Sequence, residues 1–238
     1  RYTLAFTVLD DETEALAQLE RLVLERWADG VVLMNLSQNE ALLERLVRRG
    51  VPHVLLGHSA LPGVCSVDSD NVGVARDGAA HLLARGRAPL LFLNGPQGHA
   101  FTAERAEGFR RAHLGAGLEP DAASVVFGLS TAEGARREVG ALLAAGRSFG
   151  GLLASSDALA LGALRALRDA GRRVPEDVAI VGINNDELCE YSDPPLTSVE
   201  LNAGELGRVA GELLLAALGG APSERRLVAH ALVQRGSS

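Results

Sequence analysis

The side chains best suited to chemistry are planar hydrogen-bonding groups placed just after apolar segments. Asp70 follows Cys65–Val67, Arg105 follows the run LLFLNGP that starts at Leu90, Ser156 follows GLLA, and Asn184 follows VAIVGI. Guanidinium, amide and carboxylate groups offer paired donors or acceptors, which suit the adjacent oxygens of a small molecule. His99 can donate or accept, and Phe101 and Leu129 add the apolar surface that a ligand ring needs beneath it. Each also has an ordinary structural reading. Arg105 fits a solvated arginine at a helix start between Glu104 and Glu107, and Phe101 fits a hydrophobic staple. Leu129 fits a loop leucine, Ser156 and Asp70 fit helix N-caps, and Asn184-Asn-Asp fits a turn.

Reaction chemistry has little to work with. There is no phosphate loop or His-Glu-x-x-His pair, and Gly115-Ala-Gly117 runs into Pro120, so the dinucleotide fingerprint fails. The two cysteines, Cys65 and Cys189, lie far apart and form no metal-ligand spacing. The expectation is therefore a chain that is not an enzyme and needs no cofactor or metal.

Alternating elements must position these groups. Strands are expected at Thr3–Leu9, Gly30–Met34, His53–Leu56, Cys65–Val67, Leu90–Leu93, Ser124–Phe127, Gly151–Ala154, Val178–Val181, Thr197–Val199 and Leu227–Val233. Helices fall between most of them. In Thr13–Ala28, the residues Leu16, Leu19, Val23 and Trp27 share one face; in Asn202–Leu218, Leu206, Val209, Ala210, Leu213, Leu214 and Ala217 do the same. Repeated strand-helix order predicts an α/β fold with parallel sheets and right-handed crossovers. Ligands of such sheets bind at strand carboxyl ends, where the planar groups lie.

At 238 residues the chain can bury a substantial core, as one large domain or two lobes. Its net charge of −7 argues against gripping nucleic acid by itself. All 23 basic residues are arginine, which reads as genomic bias. No apolar run approaches the ~18 residues of a membrane-spanning helix, and the sequence from Arg1 shows no secretory signal, as a mature or trimmed chain would also show none. A cytoplasmic protein with reduced thiols and no membrane partner is expected.

Gly171–Val199, GRRVPEDVAIVGINNDELCEYSDPPLTSV, resembles the lactose-repressor (LacI/GalR) family of bacterial transcription regulators. So do Asp29-Gly-Val-Val-Leu, Gly50-Val-Pro, Asp70-Asn71 with His81-Leu82, and Asn94-Gly-Pro. Arg105-x-x-Gly108-Phe109, Ser156-Asp157-x-x-Ala160-x-Gly162 and the late Gln234-Arg235-Gly-Ser match as well. Each piece alone is unspecific; their shared order and spacing carry the resemblance over nearly the whole chain.

The resemblance implies a periplasmic-binding-protein-like type I fold, with two Rossmann-like lobes joined by three crossovers. One lobe is expected at 1–89 plus 197–223 and the other at 90–196 plus 224–238. RYTLAFTVLDD resembles the family's second strand, so the first strand-helix unit, the helix-turn-helix and the hinge helix are expected to be absent from this sequence. The implied role is an effector-sensing domain, with a sugar or related small molecule held between the lobes and coupled to operator DNA through that absent domain. A homodimer is implied too, to which side chains of Ala41–Val47 could contribute. By resemblance Arg105 holds ligand oxygens, and His99, Phe101 and Ser156 lie at contact positions. Leu129 stands where a stacking aromatic is common. Asn184 replaces a frequent aspartate and so tolerates an anionic ligand better than aspartate would, and Asp70 lies near the ligand or between the lobes. The alternatives are a periplasmic sugar-binding protein of a transporter and a small α/β enzyme.

Overall fold

The computed structural model describes residues 3–5, 21, 22, 25, 27–34, 40–119, 121 and 124–238. In chain order its elements begin with β1 (Val31–Met34), α1 (Ala41–Arg48), β2 (His53–Leu56), β3 (Ser66–Ser69) and α2 (Asn71–Ala84). Then come β4 (Leu90–Leu93), α3 (Ala100–Gly115), β5 (Val125–Val126), α4 (Ala132–Ala144), β6 (Gly151–Ala154) and α5 (Asp157–Asp169). The last are β7 (Ala179–Asn184), α6 (Leu188–Tyr191), β8 (Thr197–Glu200), α7 (Ala203–Leu218), β9 (Arg225–Val228) and β10 (Ala231–Val233). The strand expected at Thr3–Leu9 and most of the helix expected at Thr13–Ala28 lie outside the described residues. Trp27, assigned to that helix's apolar face, sits in a bend, exposed, with Nε1 donating to Glu25 at 3.1 Å.

Contacts divide the chain into two units, Arg1–Val67 with Arg208–Arg226 and Asp68–Gly207 with Leu227–Ser238. One sheet has the order β1-β2-β3-β9, with β1, β2 and β3 parallel. Leu33, Leu42, Leu43, Leu46, Val51, Leu55 and Val64 form its core. The α1 leucines at 42, 43 and 46 are thus core residues.

The other sheet has the order β10-β8-β7-β6-β4-β5 and is parallel except for β10, which runs antiparallel to β8. Period-two alternation sends its apolar side chains to both faces. Leu91, Leu93, Leu152, Ala154 and Ile180 join α4 and α5 on one face. Leu90, Phe92, Leu153, Ala179, Val181, Ile183 and Val199 join α2 and α3 on the other.

Helix α2 and strand β8 pack with the second sheet. Gly78 of α2 lies against Leu153, Val181 and Val199, and β8 pairs with β7. The single strand expected at Leu227–Val233 is two strands in two sheets, β9 and β10. Between them His230 turns aside to pair with Asp77, Nε2 to Oδ2 at 3.0 Å. The Gln234–Ser237 motif ties β7 to β8: Ser237 Oγ donates to Ile180 O at 2.7 Å and accepts from Thr197 N–H at 2.8 Å.

Candidate functional site

Helix α3 carries Arg105-x-x-Gly108-Phe109, and each named residue has its own task. Phe109 stacks on Phe92 in the core with ring centroids 5.2 Å apart. Gly108 faces α2, where a Cβ would collide with the backbone carbonyl of Val72, so glycine permits the close crossing. That crossing brings Arg105 beside the start of α2.

Arg105 is only 7% exposed, so the solvated-arginine reading fails. Its Nε donates to Asn71 Oδ1 at 3.0 Å, and Nη1 donates to Ser155 O at 3.1 Å and Ser155 Oγ at 3.0 Å. Its Cζ lies 5.0 Å from the Phe101 ring centroid, a cation–π contact. Phe101 in turn stacks on His99 at 5.3 Å. Burial lowers the guanidinium pKa to about 10, while the negative charges of Asp68 and Glu104 oppose that shift. Arg105 therefore remains a cation at neutral pH. Asn71 donates through Nδ2 to both Asp68 oxygens at 3.3 Å. Burial raises the Asp68 carboxyl above the usual aspartate range, against the hydrogen bond from the Ser69 backbone.

A second polar group surrounds the end of β7. The Asp157 carboxylate, 1% exposed, accepts from Ser198 Oγ at 2.6 Å and from Asp186 N–H at 2.7 Å. Ser198 Oγ accepts from Asn185 N–H at 3.0 Å, and Asn185 Nδ2 donates to Glu200 at 2.6 Å. These bonds hold Asn184 and Asn185 in the left-handed region, at φ 121° and 59°, which costs about 1–3 kcal/mol per strained residue and persists only when neighbours enforce it. Gly182 is part of the fit, since a Cβ there would strike the Asp157 carboxylate.

The structure thus unites Arg105, Phe101 and His99 after β4, and places Asn184 at the β7 end with Asp157. Asn184 is half-buried. Asp70 and Ser156 act as caps: Asp70 accepts from Gly73 N–H at 2.9 Å and Ser156 from Leu159 N–H at 3.4 Å. Leu129 packs against the core cluster of α4 and α5, and its N–H donates to Asn94 O at 3.2 Å. His99 Nδ1 and Asn185 Oδ1 are buried and have no hydrogen-bond partner among the described residues. No three His, Cys, Asp or Glu residues gather to hold a metal among the described residues.

Sequence reasoning missed the roles of Asp68, Asn71, Ser155, Asp157 and Ser198. A signal existed for Asp157: it shares a helix face with Ala160, Leu164 and Leu167, all buried. An acid on such a stripe must find donors inside.

A profile described as a periplasmic binding protein-like domain matches residues 79–238. The HTH-type transcriptional regulator CelR of Thermobifida fusca is 36% identical over 199 residues, which is 82% of this chain and 58% of that protein. A solved structure of a putative transcriptional regulator LacI from Bacillus cereus subsp. cytotoxis superposes with TM-score 0.93 at 26% identity, covering 100% of this chain and 86% of the other. The chain belongs to the LacI family. A second LacI-family likeness is a transcriptional regulator CelR–cellobiose complex, with TM-score 0.89 and 33% identity over 96% of this chain and 71% of that one. The chain spans less than two thirds of the length of the Thermobifida regulator. No helix among the described residues is long and apolar enough to cross a membrane.

Proposed function

We propose that the chain is the effector-sensing domain of a LacI-family DNA-binding transcriptional regulator and that its effector is a sugar. The observation that carries this reading is Arg105, a buried guanidinium fixed by Asn71 and Ser155 at the strand carboxyl ends, with the Phe101 ring beside it. A positioned planar donor and an apolar ring face are what a pyranose requires. The likeness to a cellobiose complex supports a sugar over other small molecules. Arg105, Phe101, His99 and Asn184 are the proposed contacts. Asp70 and Ser156 serve by capping, and Leu129 by packing.

In this reading the domain is a binder and no catalyst, and it works in the cytoplasm as a homodimer. Operator DNA is gripped by a helix-turn-helix segment of the kind named in the relatives, in keeping with the chain's own charge of −7. Effector and operator bias one conformational equilibrium, typically by ~1–3 kcal/mol, and each changes the other's affinity by the same factor. The same regulators favour this reading over a transporter's binding protein.

Thermal shift against cellobiose, other disaccharides, monosaccharides, polyols and nucleobases tests it. A ligand at 100 times its Kd adds about 2.7 kcal/mol of stability. Selective stabilisation by a sugar is expected; selective stabilisation by a nucleobase, or none by any sugar, rejects the sugar assignment.

A further inference from the structure

The three direct acceptors of the Arg105 guanidinium, Asn71 Oδ1, Ser155 O and Ser155 Oγ, are all uncharged. A buried cation needs a counter-charge as well as hydrogen bonds. That charge stands one residue further out. The Asn71 amide accepts from Arg105 on one side and donates to both Asp68 oxygens on the other. Glu104, adjacent to Arg105 in sequence, adds a second negative charge that acts on both Arg105 and Asp68. Two carboxylates therefore act on the one guanidinium. Because an amide separates Asp68 from Arg105, the carboxylate offsets the charge without occupying the donors. Arg105 Nη2 has no protein partner among the described residues and faces no competing carboxylate bond.

We propose that Asp68 and Glu104 set the charge class of the effector, so that Arg105 can bind the hydroxyls of an uncharged sugar while phosphorylated and acidic sugars are repelled. This rests on the sugar-sensing reading above and narrows it. Asn184, where an aspartate is frequent, would by itself admit an anion; Asp68 and Glu104 restore the discrimination. Like-charge repulsion against the wrong ligand is a source of specificity independent of attraction to the right one.

The test pairs two probes. Inorganic phosphate, compared with chloride at equal ionic strength, reports on the charge balance whatever the natural effector is. Wild type should gain no thermal stability from phosphate. The Asp68→Asn/Glu104→Gln variant should gain it, and adding Arg105→Gln should remove the gain. Asp68→Asn alone keeps an acceptor toward Asn71 and should shift in the same direction, which covers a double variant that fails to fold. Glucose and glucose 6-phosphate, compared by calorimetry, report on the sugar reading. The double variant should move the preference toward the phosphorylated sugar by at least about tenfold, a single decade of affinity. Phosphate stabilisation of wild type overturns the proposal, as does a folded variant that responds like wild type. A variant that gains phosphate binding while neither protein binds any sugar upholds the charge assignment and rejects the sugar-sensing reading.

Discussion

The Ser198 hydroxyl donates to the Asp157 carboxylate at 2.6 Å, joining the middle of β8 to the start of α5 beneath the loop that follows β7. The other Asp157 oxygen takes the Asp186 N–H at 2.7 Å. One buried carboxylate thus fixes the strained loop that presents Asn184. Its two donors come from different elements, so the loop geometry is a tertiary property.

Replacing Asp157 by Asn should be costly. The amide keeps the size but sets an N–H₂ group against a donor. Each hydrogen bond to a charged group contributes about 1.5–3 kcal/mol, so a loss of at least ~2 kcal/mol in urea unfolding is expected. Sugar affinity should fall with it, since Asn184 is no longer held. A variant as stable as wild type would show that the network contributes nothing.

Gly108→Ala forces a methyl group into the Val72 carbonyl. Overpacking of this kind typically costs ~1–3 kcal/mol. Because the crossing of α2 and α3 sets Arg105 against Asn71, the effector affinity of folded Gly108→Ala should drop as well. Loss of stability with unchanged affinity would separate packing from the site.

Arg105→Ala should weaken sugar binding at least tenfold, or ~1.4 kcal/mol, measured by calorimetry on protein whose circular dichroism matches wild type. Arg105→Lys should not restore it, because a point-charge ammonium lacks the planar fork that reaches Asn71 and Ser155 together. Full rescue by lysine would argue that charge alone is used.

Burial, reinforced by the Asp157 charge, pushes the Cys189 thiol up to about 12. Thiolate is the reactive form, so in a Cys65→Ala variant at pH 8 a disulfide reagent should label Cys189 only as the protein unfolds. Labelling at the rate of a free cysteine would contradict the buried placement.

The Asp177 carboxyl, hydrogen-bonded by the Arg173 side chain and backbone, is lowered from 3.8 to about 2. A depressed acid contributes stability that is present above its unfolded value and is lost as pH falls through the folded one. The contribution should therefore disappear between about pH 4 and pH 2. Carboxyl-carbon NMR should show Asp177 titrating near 2, and near 3.8 in Arg173→Ala. An unchanged titration in the variant would refute the pairing.

Local rules carried much of this fold. His53–Leu56, Leu90–Leu93 and Gly151–Ala154 are strands with the bounds expected from their apolar runs. In α7, Val209, Ala210 and Leu213 lie buried on the stripe read from the 3.6-residue period. The caps at Asp70 and Ser156 were legible because a cap needs only a short polar side chain before a helix. The break at Ala229-His230 was not, since Leu227–Val233 is apolar apart from His230 and only the pairing with β8 and with the first sheet divides it.

The sequence by itself determined the α/β class, the order of elements and the short list of polar groups at strand ends, because periodicity and capping act over a few residues. Tertiary structure decided that Arg105 is buried, that Asn71 stands between it and Asp68, and that Asp157 points inward while Ser156 caps. Those outcomes depend on contacts 34 and 41 residues apart in sequence, Arg105 to Asn71 and Ser198 to Asp157. Burial of the Arg105 charge follows from what the fold packs around it, and no local pattern encodes that.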